Sequence, residues 1–322
     1  MEPDEVTPDI VRAWYLKRQQ VAPSSASSEA GHLRAIFASL ISERAYDRVN
    51  PVPSHLTRIK TKPKELDRLT PGQLNALIAF YDEQAPQYAL AVCLGAFAGL
   101  RIGEVRALTR ADLTSDGERY TVRVNKQAAW NDESGEFYEA DPKSADSVRQ
   151  IPLPAALKER VEQHLRGMDN KLKSAILFTP RARKDGKPNA HKFVGKSPWR
   201  NLWLRACLAA EIDYMVDSDG ERVPYNPAEF KGGRGHKRPD VVQRHVFKFH
   251  GLRGIYATAL GEVSNQSYMA GQLLGHSSKG VTERHYLAAV PEQARAALAD
   301  AAYEVLTGAR SNIIEFKARS VA

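Results

Sequence analysis

The chain has 322 residues, enough for two domains and a sizeable core. Hydrophobic residues make up 43% and charged residues 26%, as in ordinary globular proteins, and the longest apolar run, "ALAVCLGAFAGL" (89–100), is at 12 residues too short to span a bilayer. A net charge of +8 favours a polyanionic partner, nucleic acid ahead of a membrane surface, while two isolated cysteines, Cys93 and Cys207, make neither a disulfide framework nor a zinc site.

Residues 7–49 read as two helices. Thr7-Pro8 supplies a cap and a first-turn proline, and the second helix carries Leu33, Ile36, Phe37, Leu40 and Ile41 at the spacing of one apolar stripe. "NPVPSHL" (50–56) stops it, and the basic, apolar-poor "TRIKTKPKELDRL" (57–69) reads as a linker. We therefore expect domains at 1–56 and 70–322. Two helices bury little surface alone, so the first domain is expected to be incomplete or to lean on a partner.

The second part opens at Thr70, Pro71 and Gln73, a cap, first-turn proline and capping-box partner, followed by a helical region to about residue 109. "ERYTVRVNK" (118–126) and "SVRQIPLP" (147–154) read as strands, with a turn and a short extra strand between them. Residues 153–170, 197–212, 252–263, 266–275 and 291–307 read as helices. The predicted fold class is mainly α with a small antiparallel β-sheet. Residues 213–245, rich in glycine, proline and charge, read as one long loop made basic by Lys231, Arg234, Lys237 and Arg238. It is either a solvated loop or a contact for phosphates.

Four segments carry chemistry. "AGLRIGEVRAL" (98–108) puts Arg101 beside an apolar run, where a charge needs a partner, and Glu104 three residues on is expected to share its helical face. "FHGLRGIYAT" (249–258) sets His250 and Arg253 on one helix face, and Lys143 lies in the turn before the second strand. "LLGHSSKGVTERHYLAAV" (273–290) holds His276, His285 and Tyr286. Each segment alone has a plain alternative: a structural ion pair, surface decoration or a solvated lysine. Together they give two arginines, a lysine, histidines and a tyrosine, with no metal-ligand cluster and no phosphate-cradling glycine loop. Two guanidinium groups suit the non-bridging oxygens of a phosphodiester. Tyrosine is a competent nucleophile once activated, a phenolate at pH 7 costing about 4 kcal/mol. A poor sugar leaving group needs a proton donor, which a lysine on a turn can be.

In these motifs and their order the sequence resembles the tyrosine recombinase (phage integrase) family, over about residues 70–290 and weakly over 7–56. "AGLRIGEV" resembles the family's first box, which implies Arg101 as a catalytic arginine supported by Glu104. "PKSADSVRQIPLP" resembles its β-hairpin and implies Lys143 as general acid. "HGLR" and "LLGH" imply His250, Arg253 and His276, and Tyr286 as the nucleophile. Tyr286 follows His276 by ten residues, one more than is usual in the family, and His285 fills the usual place. A loop adjustment absorbs the difference, since the other nearby tyrosine, Tyr268, precedes "LLGH".

The resemblance implies a site-specific DNA recombinase or integrase that works through a 3′-phosphotyrosyl bond without metal or cofactor. It implies specific double-stranded DNA sites, a homotetramer, a cytoplasmic, nucleoid-associated place and no membrane. Residues 1–56 would be a core DNA-binding domain. The helix at 292–306, with Ala294, Ala297, Leu298, Ala301, Val305 and Leu306 on one stripe, docks either on a neighbouring protomer, as in the family, or on its own domain. Two rivals remain: cleavage and religation without partner exchange, as in type IB topoisomerases or telomere resolvases, and a catalytically silent DNA-binding accessory protein.

Overall fold

A computed structural model of the chain describes residues 2–57, 69–142, 147–180, 192–226, 242–244, 247–264 and 291–309. It divides into two compact units, Met1–Glu65 and Leu66–Ala322.

The first unit is an antiparallel pair, α1 (Pro8–Val21) and α2 (Pro23–Ser42). Thr7 caps α1, its hydroxyl accepting from the Ile10 N–H. The core consists of Val11, Tyr15, Ala26, Ala30 and Phe37, closed by Tyr46, Val52 and Leu56 from the segment after α2. The expected stripe on α2 is only partly right. Phe37 is buried and Leu33 and Leu40 pack beside it, but Ile36 is 56% and Ile41 37% exposed. Two alanines, fully buried at positions 26 and 30, set the inward face, because small side chains let the neighbouring helix approach. The large isoleucines fall on its flanks. The linker is outside the described residues from 58 to 68.

The second unit opens with α3 (Pro71–Gln84), started by the predicted capping box: the Gln73 N–H donates to Thr70 Oγ1 at 3.2 Å and the Thr70 N–H to Gln73 Oε1 at 3.1 Å. The helical region that this box opens is three helices, α3 and two more. Pro86 cannot donate a backbone hydrogen bond, and Ala85 leaves the helical conformation before it, so α4 (Pro86–Ala98) starts afresh. Gly99, at φ +62°, then ends α4 in a left-handed cap before α5 (Ile102–Ala107). Every residue of α4 from Tyr88 to Ala98 is buried. The long apolar run is thus the central helix of the core, and no described helix is long and apolar enough to cross a membrane.

A three-stranded antiparallel sheet follows, with β1 (Leu113–Ser115) and β5 (Arg149–Pro152) flanking β2 (Tyr120–Val124). Val122 stands opposite Leu113 on one side and Ile151 on the other. Between β2 and β5 the expected turn and extra strand are a complete hairpin, β3 (Gln127–Asn131) and β4 (Glu136–Ala140). It turns through Gly135 at φ +67°.

Helices α6 (Lys158–Gly167) and α7 (Lys196–Ala209) come next. The expected loop at 213–245 begins and ends as strand: β6 (Tyr214–Val216) pairs with β7 (Arg222–Val223) and with β8 (Val242–Arg244). A tight turn at Asp217–Gly220 closes the first pair, and residues 227–241 lie outside the description. Then come α8 (Phe249–Ser264) and, past residues 265–290, α9 (Glu292–Thr307). The expected helix at 266–275 falls in that gap.

Helix α9 packs on its own unit, against α8, α3, α4 and β5. Leu298, Ala299, Ala301, Ala302 and Leu306 are its buried residues. The Asp300 carboxylate accepts from Arg119 at 2.9 Å and from the Ala155 N–H at 2.8 Å. Of the two docking modes expected for this helix, the described structure holds the one within its own unit. Its face is turned slightly from the stripe read in the sequence, leaving Ala297 exposed. The whole is mainly α-helical with small antiparallel sheets, as the residue patterns predict.

Candidate active site

Three elements meet at one charged cluster: the start of α5, the start of α8 and strand β5. Arg101 is not on a helical face shared with Glu104. It is the N-cap of α5, extended at φ −72° and ψ 151°, because Gly99 has just reversed the chain out of α4. Glu104, in the first turn, reaches back to it. The Arg101 backbone N–H donates to Glu104 Oε2 at 2.8 Å and Arg101 Nη1 to Oε1 at 2.9 Å. A carboxylate there also suits the positive end of the helix.

A third arginine, given no role in the sequence motifs, completes this arrangement. Arg149 on β5 donates from Nη1 to Glu104 Oε1 at 3.0 Å and from Nη2 to Oε2 at 2.9 Å. Both side chains of that pair are 6% exposed. Each carboxylate oxygen thus takes one bond from each arginine. Burial alone would raise the Glu104 carboxyl, but the bonds and charges of Arg149 and Arg101 hold it below the ordinary value. A clue was present in "VRQIPL": along a strand, side chains two apart share a face, and Arg149 is in phase with the buried Ile151.

Helix α8 is held at its start by aromatic packing. Trp203 of α7 donates from Nε1 to the Phe247 carbonyl at 2.7 Å and stacks on its ring, with centroids 6.2 Å apart. The Phe247 N–H donates to Asp213 at 2.8 Å. The glycine of H-G-L-R has a steric reason: a Cβ on Gly251 would overlap the Phe247 ring. So fixed, α8 buries Arg253, which donates from Nη1 to the Gly99 carbonyl at 2.7 Å. Arg253 is therefore bonded to the turn that precedes Arg101, although the two are far apart in sequence. Burial, then the nearby Arg101 and Arg149, lower its pKa to about 10. His250 lies at the exposed rim of the same helix start. Partial desolvation, then Arg253 and Arg101, lower its pKa from the ordinary value, which favours a neutral imidazole near pH 7.

Of the predicted site residues, the structure brings together Arg101, Glu104, His250 and Arg253. Lys143, His276 and Tyr286, with His285 and Tyr268, lie outside the described residues, as do Lys231, Arg234, Lys237 and Arg238. Lys126, a second lysine near the first strand pair, is held by Asp112 at 3.1 Å. Among the described residues no group of His, Cys, Asp and Glu could hold a metal ion. Both cysteines are buried and free, and burial pushes the Cys93 thiol up to about 12. The described cluster is three arginines and a histidine around one carboxylate, a set whose chemistry suits an anion.

Comparison with known proteins gives the same direction. No protein-family model matches the chain. It is 27% identical over 177 residues to an integrase of Mycobacterium phage D29, covering 54% of this chain and 45% of that protein. Over 201 residues it is 26% identical to a XerC-like tyrosine recombinase of Caldanaerobacter subterraneus subsp. tengcongensis, covering 61% and 44%. The chain spans about half the length of these curated relatives. Its fold is similar to that of the Tn1549 transposon integrase in complex with transposon right end DNA, with a TM-score of 0.61 at 19% identity, covering 92% of this chain and 85% of that one.

Proposed function

We propose that this chain, a relative of the integrases and tyrosine recombinases in sequence and fold, is a site-specific recombinase that cuts and rejoins DNA strands through a covalent tyrosine link. The observation that carries this reading is the convergence of Arg101 and Arg253 on one cluster, joined through the Gly99 turn and Glu104. Two fixed guanidinium groups beside a partly exposed histidine suit a phosphodiester, whose charge rises from one to two negatives as a fifth oxygen bonds to phosphorus. Cations fixed in advance stabilise that second charge more than the first, which is what lowers a barrier.

In this reading Tyr286 attacks the scissile phosphate. Its oxygen bonds to phosphorus, its proton passes to a histidine base, and the P–O5′ bond breaks. Lys143 protonates the departing 5′ oxygen. The 3′-phosphotyrosyl bond keeps the energy needed for religation, so no cofactor enters. Arg101, Arg253, His250 and His276 steady the phosphorane. The partner is double-stranded DNA carrying a specific site, with Lys231, Arg234, Lys237 and Arg238 on its backbone and residues 1–56 as a further DNA-binding domain.

Exchange between two duplexes breaks four strands, one per tyrosine, so the working assembly is a homotetramer. The apolar stripe of α9 is occupied within its own unit, so docking across protomers through this helix would require its release.

Tyr286→Phe tests the reading. It keeps the ring and loses the nucleophilic oxygen, so the variant should bind DNA like the parent and trap no covalent complex on a nicked suicide substrate. Peptide mapping of the parent adduct should find the nucleotide on Tyr286. A nucleotide on His285, Tyr268 or any other residue overturns the assignment.

A further inference from the structure

Glu104 poses an electrostatic problem for the function proposed above, on which this inference rests. A carboxylate bonded to Arg101 orients the guanidinium but also cancels its charge, and a neutral pair attracts a phosphate poorly. The geometry points to Arg149 as the answer: we propose that Arg149 is a positioning residue that holds the Glu104 carboxylate in plane and balances its charge, leaving the positive charge of Arg101 for the scissile phosphate.

Three observations carry this. First, Arg149 meets Glu104 through both terminal nitrogens, at 3.0 and 2.9 Å, whereas Arg101 gives it one terminal nitrogen and a backbone N–H. A forked pair is the stronger and more directional of the two. With four bonds received, about all the lone-pair directions of the carboxylate are filled, and its plane is fixed by the four donors. Second, the two partners differ in exposure. The Arg149 side chain is 6% exposed and that of Arg101 37%. The buried arginine is matched to the buried acid, and the more open one can face a ligand. Third, Arg149 also donates from Nη1 to the Ser147 carbonyl at 3.1 Å, in the segment just before β5. The guanidinium is therefore anchored to the entry of β5, and through Glu104 it ties that strand to the start of α5.

Among the described residues of the cluster, Arg101, Arg149 and Arg253 against Glu104 leave two positives, and removing Arg149 takes away one of them, against the two negatives of the phosphorane. The lowered pKa of Arg253, owed in part to Arg149, fits three guanidinium groups held close together.

The test uses Arg149→Gln and Arg149→Lys in the full chain, on the nicked duplex that the parent cleaves. Each is read on two substrates: the ordinary phosphodiester, and one with a single methylphosphonate at the scissile position. The methyl group removes the phosphate charge, so a missing cation matters less. Arg149→Gln should cut the phosphodiester roughly ten- to hundred-fold more slowly, by analogy with the loss of a partner that orients a metal ligand. On the methylphosphonate it should approach the parent. Arg149→Lys keeps the charge without the fork and should lose less.

Equal losses on both substrates assign Arg149 to the fold alone and overturn the proposal. So do parent-like rates on the diester, or failure of both variants to fold. Arg101→Ala is the control. If its defect is not relieved by the methylphosphonate, the proposed role of Arg101 fails instead; if it is relieved and that of Arg149→Gln is not, only the present inference fails.

Discussion

Replacing Glu104 with glutamine keeps the size of the side chain and removes one charge from the middle of the cluster. Arg149 is then a buried cation, 6% exposed, without its counter-ion. One carboxylate oxygen becomes an NH2 group facing arginine N–H donors, so at least one hydrogen bond becomes a donor–donor contact. Removing one partner of a buried pair costs about 3–5 kcal/mol. The Arg101 half adds little, since that side chain is 37% exposed and pairs at that exposure are worth less than about 1 kcal/mol.

The assay is urea unfolding followed by tryptophan emission, to which Trp199 and Trp203 in the core of the second unit contribute. With a slope of about 2–3 kcal/mol per molar, the midpoint should fall by roughly 1–2.5 M. The pH dependence gives an independent check. The Glu104 pKa is lower in the folded state than its ordinary 4.5, so its stabilisation is present above that value and is lost as pH falls through the folded pKa. Parent and variant should therefore differ by a constant amount at neutral pH and converge in acid. A difference below about 1 kcal/mol, the range of exposed pairs, or one that does not shrink in acid, refutes the account of Glu104 as a buried hub.

Gly251→Ala sets two effects against each other: helix propensity favours alanine by about 1 kcal/mol, and overpacking against the Phe247 ring costs about 1–3 kcal/mol. Net destabilisation in thermal melts is expected, and a net gain would show that the ring yields easily. Lys143→Ala should slow cleavage of ordinary DNA, and a 5′-thio leaving group, which needs no proton, should restore it; absence of rescue moves the proton donor elsewhere. Alanine at Lys231, Arg234, Lys237 and Arg238 together should weaken DNA binding on any sequence and flatten its dependence on salt. An unchanged slope removes the loop from the interface.

Much of the fold was legible because the signals were local. The Thr70 capping box, the strands around Val122 and Ile151, and helices α8 and α9 all follow from short-range spacing. The misreadings came from tertiary choices. On α2 the bulky Ile36 and Ile41 looked like core, yet Ala26 and Ala30 decided which face could approach α1. In the stretch after Tyr214, glycine and proline concealed strands that exist by pairing, β6 with β7 and with β8 farther along the chain. In the site, the arginines of the two boxes were readable from their neighbours in sequence. Arg149 offered only its strand phase with Ile151, which shows burial but not a partner, because its role depends on Glu104, 45 residues earlier.

The segment "AGLRIGEV" shows how a site motif can also be a solution in backbone geometry. Helix α4 is buried all round, so the chain must leave it abruptly to bring a charged side chain to the surface. Gly99 does so at φ +62°, where side chains other than glycine are strained. Its carbonyl, left without a helical partner, accepts from Arg253, so the exit from one helix fixes the second arginine. Arg101 then caps α5, and Glu104 is the residue that cap geometry places opposite it. Gly103 lies between them because a Cβ there would stand 3.1 Å from the Ala128 carbonyl oxygen, where α5 rests on β3. Each of these positions serves the helix break first. The convergence of two arginines follows from that break, because the carbonyl it exposes and the cap it creates are the two places where a guanidinium group is wanted.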